Sequence, residues 1–127
     1  MACWWGRHYL DAIDATSRHL HAIDASVPTG KENRADLCYA FRDINPVAPT
    51  HVLLIPKVRS GLTQLRHASP DQAALLGHLM SKVGAVAEAA GLDDYRVVVN
   101  DGAGAGQTVF HLHVHVIGGR ELAWPPG

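Results

Sequence analysis

The chain has 127 residues, eleven basic and twelve acidic side chains, and a formal net charge of −1. That length suits one compact domain, and the near-neutral balance argues against a general polyanion-binding surface. Nearly half the residues are hydrophobic (47%), enough for a buried core, yet no apolar run approaches the ~18 residues that a membrane span needs.

Residues 1–35 show weak periodicity, and "PTGKENRAD" (28–36) is polar and turn-like. Trp4 and Trp5 are followed by Arg7 and His8, so the continuous apolar stretch of a secretory signal is missing. Cys3 and Cys38 lack C-x-x-C spacing and read as free thiols of a cytoplasmic protein.

Clear signals begin near residue 36. "LCYAFRDI" (37–44) alternates and carries aromatics, which predicts a strand. "NPVAPT" (45–50) is a two-proline loop, and "HVLLIP" (51–56) reads as a buried strand. "SGLTQL" (60–65) has the look of a helical turn. Ser69-Pro70-Asp71-Gln72 then combines a capping residue, proline at the first helical position and a capping-box glutamine. Leu75, Leu76, Leu79, Met80, Val83, Val86 and Ala90 follow at helical spacing, and Gly91 ends the helix. Gly77 and Gly84, seven residues apart, share one face and predict close packing against a sheet or a partner.

"YRVVVN" (95–100) reads as a strand, "DGAGAGQ" (101–107) as a glycine-rich loop and "TVFHLHVHVI" (108–117) as another strand. Four strands and one helix without β-α-β alternation predict an α+β domain with an antiparallel sheet.

The last strand places His111, His113 and His115 on one face and Leu112, Val114 and Val116 on the other. Three readings compete. The first is a solvated face that happens to be rich in histidine. The second is a zinc site, with His51 joining the three. The third is nucleophilic and acid–base chemistry near neutral pH. The preceding loop favours the third. Its three glycines let backbone N–H groups form an anion nest, and Gln107 and Thr108 add donors beside the histidines. His8, His19, His21, His67 and His78 read as ordinary surface or helix positions.

"HLHVHVI" matches the His-φ-His-φ-His-φ-φ signature, φ being apolar, of the histidine triad (HIT) superfamily. "FRDINPVAPTHVLLIPK" (41–57), "YRVVVNDGAGAGQTVFHLHVHVIGGR" (95–120) and the terminal "WPPG" resemble its Hint branch, the histidine triad nucleotide-binding proteins. The resemblance implies an α+β fold with one long helix and a sheet that continues across a homodimer. It implies hydrolysis of purine nucleoside 5′-phosphoramidates, with AMP or GMP as nucleotide, and no metal or other cofactor; the alternative is a non-catalytic nucleotide-binding or zinc-binding module of the same fold. It implies neither nucleic acid nor membrane as partner.

By position, His113 resembles the nucleophile that becomes nucleotidylated, His115 the phosphate-contacting proton donor, and His111 and His51 the supporting members. Phe41 and Ile44 resemble base-pocket residues, and Asp43 the carboxylate that accepts from ribose hydroxyls. Asn100, Gly106, Gln107 and Thr108 match positions around the phosphate. Trp124 resembles the residue that closes the partner subunit's site.

The HIT domain so identified is 36–127 with its tail, and 1–35 is an atypical N-terminal segment. There Ile23, Val27, Pro28 and Asp36 fall on family positions, but Arg18 and His19 replace an apolar pair and "TGKENR" a strand-like stretch. Arg59 also stands where relatives often have histidine.

Overall fold

A computed structural model describes residues 37–127. The expectations on residues 1–35, and on Asp36, lie outside the described residues. Four antiparallel strands form one sheet: β1 (Cys38–Arg42), β2 (Thr50–Pro56), β3 (Tyr95–Val98) and β4 (Val114–Gly118), in the order β1-β2-β4-β3. One long helix, α1 (Ala73–Ala89), lies on the sheet. No helix among the described residues is long and apolar enough to cross a membrane.

The helix begins as its sequence predicts. Pro70–Gln72 form a tight 3-10 turn, and the Ser69 N–H donates to Gln72 Oε1 at 3.0 Å, one half of the capping box. It ends in a Schellman closure. The Leu92 N–H reaches Ala87 O, the Gly91 N–H reaches Glu88 O, and Gly91 takes φ +76°, where a side chain would be strained.

Register assigns the two faces of the sheet. Leu54 pairs with Val114 and Val52 with Val116, so these four point the same way, and all are buried. They meet Leu79, Val83 and Val86 of α1, with Leu62, Leu92 and Leu112 closing the cluster. Each such side chain contributes about 1.5–3 kcal/mol relative to exposure. The opposite face carries a smaller cluster of Phe41, Leu53 and Ile55. On that face Phe41 pairs with Leu53, and Leu53 with His115.

Three differences from the sequence reading stand out. The strand expected over 108–117 starts only at Val114, because the Leu112 N–H turns aside to Leu62 O. Gly77 and Gly84 do not pack into the sheet: a methyl on Gly77 would meet nothing within 4 Å, and one on Gly84 only the Tyr95 hydroxyl at 4.0 Å. The helical turn falls at Leu65–His67, later than expected.

Candidate active site

The histidines meet on the sheet face away from α1. His51 heads β2 and is buried, held between the two-proline loop and β4. The Val47 N–H donates to His51 Nδ1 at 3.2 Å. That nitrogen therefore carries a lone pair, and the proton sits on Nε2. His51 Nε2 lies 2.8 Å from His115 Nδ1 and donates to it. The same logic then puts the His115 proton on Nε2. This Nε2–H is buried and has no hydrogen-bond partner among the described residues. An orphaned buried donor is costly, so it points to a ligand that accepts from it.

His113 is set differently. Its Nδ1–H donates to the His111 carbonyl at 2.7 Å, leaving the lone pair on Nε2. Its ring packs edge-on against His115, the centroids 5.0 Å apart. His111 turns away from the other rings. It is buried and donates Nε2–H to Pro56 O at 2.8 Å. His111 therefore braces β2 against the residues leading into β4.

Burial dominates the electrostatics. It pushes His115 down to about 4, helped by the nearby His113 and His51 and opposed by Asp43. Burial also lowers His51, with Asp43 again opposing, and it lowers His111. His115 is thus neutral at pH 7 in the free protein. A standing imidazolium, the form in which histidine best gives up a proton, is not what His115 holds at rest. Asp43 Oδ2 lies 3.5 Å from His51 Nε2, and its Oδ1 accepts the Asn45 N–H at 2.8 Å. The carboxylate stands within reach of a proton that arrives on the histidine pair.

The glycine-rich loop is more closed than its sequence implies. Gln107 is only 2% exposed. Its Nε2 donates to Thr63 O and Val109 O, and its Oε1 accepts the Gly102 N–H. The N–H groups of Ala105, Gly106 and Gln107 bond within the loop as well. Gln107 is thus a brace from which the loop hangs, and its amide has no donor left for a ligand. Four of the N–H groups offered for an anion nest are likewise spent. Thr108 is exposed, and the Asn100 amide lies against Gly106.

Of the expected base-pocket residues, Phe41 is buried beside Leu53 and Ile55, while Ile44 is exposed, past the end of β1 and just before the two-proline loop. Trp124 is 83% exposed, in a tail tethered where Arg96 Nη2 donates to Ala123 O. A single described chain does not bring it to the histidines.

Among the described residues, the side chains close enough together to hold a metal are a different set from the one the spacing predicts. Asp43, His51 and His115 offer ligand atoms within 4.8 Å of one another, without His111 or His113. Sequence reading did not anticipate the Val47 N–H, the Asp43–His51 approach or the pair Arg66–Asp101 that flanks the loop. Main-chain donors and exposed surface arginines leave no mark in spacing.

A family model for the HIT domain matches residues 27–122. The chain is 48% identical over 106 residues to the 14 kDa zinc-binding protein of Zea mays, covering 83% of each. It is 46% identical over 106 residues to the adenylylsulfatase HINT1 of Arabidopsis thaliana, 83% of this chain and 72% of that one. Among solved structures, a HIT family hydrolase from Legionella pneumophila superimposes with a TM-score of 0.73 at 35% identity, over 93% of this chain and 97% of that one.

Proposed function

This chain belongs to the HIT family, and from that premise we propose that it hydrolyses the P–N bond of purine nucleoside 5′-phosphoramidates through a covalent nucleotidyl–His113, releasing AMP or GMP. The observation that carries the reading is the pair of opposite tautomers. His113 presents a lone pair on Nε2, and its neighbour His115 presents an unpartnered N–H. A nucleophile and a donor side by side suit attack on phosphorus with a phosphoryl oxygen held.

In the first step His113 Nε2 forms a bond to phosphorus and the bond to the leaving amine breaks. The amine needs a proton. A phosphoryl anion against His115 favours the charged imidazole, so the His51–His115 pair, with Asp43 beside it, takes up that proton as substrate binds. In the second step water attacks phosphorus, frees His113 and returns one proton to the pair. No step calls on a metal.

The Arabidopsis relative's name points to a second leaving group for the same attack. Sulfate leaves as an anion and needs no proton, so adenylyl sulfate would escape the proton requirement. The test is a fluorogenic AMP–amine conjugate assayed beside adenylyl sulfate, with chelator present. Formation of AMP from either substrate that survives His113→Asn would sink the proposal.

Zinc binding is the second reading, favoured by Asp43, His51 and His115 and by the name of the Zea mays relative. Ligation through His51 Nε2 moves the ring's proton to Nδ1, which breaks both the bond to His115 and the one from Val47. Calorimetry with Zn²⁺ at pH 7.5 reads this directly: submicromolar binding lost in His51→Asn would favour it.

A homodimer fits the same premise. β3 is an edge strand with no partner on its outer side among the described residues, and Gly77, Met80 and Gly84 leave an open strip on α1. In such a dimer Trp124 would close the partner's site. We assign residues 36–127 as the working domain of a cytoplasmic protein.

A further inference from the structure

The glycine-rich loop hangs from the turn that precedes α1. Leu62 O accepts the Leu112 N–H at 3.0 Å, and Thr63 O accepts Gln107 Nε2 at 2.8 Å. One residue before the loop's first glycine, Asp101 is gripped from the same turn. Its Oδ1 accepts from Arg66 Nε at 2.7 Å and Gln64 Nε2 at 3.2 Å, and its Oδ2 accepts the Arg66 N–H at 2.9 Å. Arg66 Nη2 also reaches the Asp101 carbonyl at 3.2 Å.

The next residue explains what this grip sets. Gly102 has φ +96° and ψ +159°, a conformation open in practice to glycine alone. A methyl there would lie 2.9 Å from Arg66 Nη2, so the guanidinium rests on the Gly102 backbone. Gly102 O then accepts both the Ala105 and Gln107 N–H groups, and these bonds shape the remainder of the loop.

We propose that Arg66 is a positioning residue: clamped to Asp101, it fixes the loop 102–107 and, through it, where the Asn100 amide against Gly106 and the Thr108 that follows the loop stand as donors to a phosphoryl group, since the loop's own bonded N–H groups are not free to hold one. The proposal rests on the phosphoryl-transfer reading of the site. Arginine is suited to this because one planar fork spans a side-chain oxygen and a main-chain oxygen of the same residue, which lysine does not reproduce. Arg66 is 59% exposed at its side chain, so the clamp adds little to global stability and acts on the loop. Without it, a segment with three glycines in five residues regains much conformational freedom.

The test compares Arg66→Ala, Arg66→Lys, Asp101→Asn and the Arg66→Ala/Asp101→Asn double variant. It reads turnover of an AMP–amine conjugate, melting temperature, and hydrogen exchange of the Ala105, Gly106 and Gln107 amides in the free protein. Each single variant is expected to lose about tenfold in kcat with KM within about twofold, and the double variant to lose no more than either. Arg66→Lys stays impaired, Tm stays within about 2 °C, and the loop amides exchange several times faster. Unchanged kcat and exchange in Arg66→Ala, or additive losses in the double variant, overturn the proposal. If the wild-type protein cleaves no phosphoramidate, the proposed reaction falls, and exchange alone judges the clamp. Faster loop exchange in both Arg66→Ala and Asp101→Asn then upholds it, and unchanged exchange ends it.

Discussion

The two faces of the sheet are made from alternate residues of the same strands, and they follow opposite rules. Under α1, Val52, Leu54, Val114 and Val116 pack with Leu79, Val83 and Val86 in one apolar cluster. One residue along each strand, the other face holds the buried His51 and the half-buried His115, bonded ring to ring. The first face is specified by shape and volume, so many apolar residues would serve. The second is specified by which nitrogen holds a proton, so each position tolerates almost nothing else. A single β alternation thus separates what folds the chain from what gives it chemistry.

The sharpest way to test that separation is to change one face and read the other. His113→Asn is expected to lower phosphoramidate turnover by roughly 10³-fold or more while leaving the melting temperature nearly unchanged. Leu54→Ala should do the reverse. It removes a fully buried side chain at a cost of about 2–5 kcal/mol, visible as a lower denaturant midpoint. The folded fraction, measured by active-site titration, should keep its kcat. A Leu54→Ala enzyme that folds normally but turns over slowly would mean the faces are coupled after all.

Acid offers a milder test. His115 falls to about 4 in the folded protein, below the ~6.5 of an unfolded chain. The unfolded state therefore binds more protons between these values, and stability rises with pH across that window. Acidification from pH 6.5 towards 4 should cost roughly 1–2 kcal/mol from this group, with His51 and His111 adding in the same direction. His115→Gln should flatten the dependence, as read by melts at several pH values. The smallest effect concerns proton uptake. AMP binding should draw in a fraction of a proton near pH 7, measured by calorimetry in buffers of different ionisation enthalpy. Binding with no uptake would remove the proton source proposed for the amine.

How far the sequence revealed each face follows from the same contrast. Hydrophobic alternation and spacing foretold β1, β2 and α1 because burial is a local rule, and Ser69 to Gln72 marked the 3-10 turn that leads into the helix. The histidine face was legible as a list of residue types. Its arrangement was not, because His51 and His115 are 64 positions apart and their tautomers hang on a main-chain N–H from Val47. Gln107 misled for a related reason: an amide beside a glycine loop looks like a donor for ligands, whereas its depth commits it to the loop's own backbone. Strand β4 was read too long because apolar alternation persists through 108–113 even where the backbone finds partners outside the sheet.

That late start of β4 has a chemical use. A carbonyl inside a ladder is occupied by the adjoining strand. Pairing between β2 and β4 reaches only as far as Leu54 and Val114, and beyond it the carbonyls of Pro56 and His111 accept from imidazoles instead. The first fastens His111, and the second decides which nitrogen of His113 is bare. Had the strand zipped up four residues earlier, the same sequence would have left the His113 proton free to choose either nitrogen. An unfinished seam in the sheet thus sets which nitrogen of His113 carries the lone pair that the proposed attack on phosphorus would use.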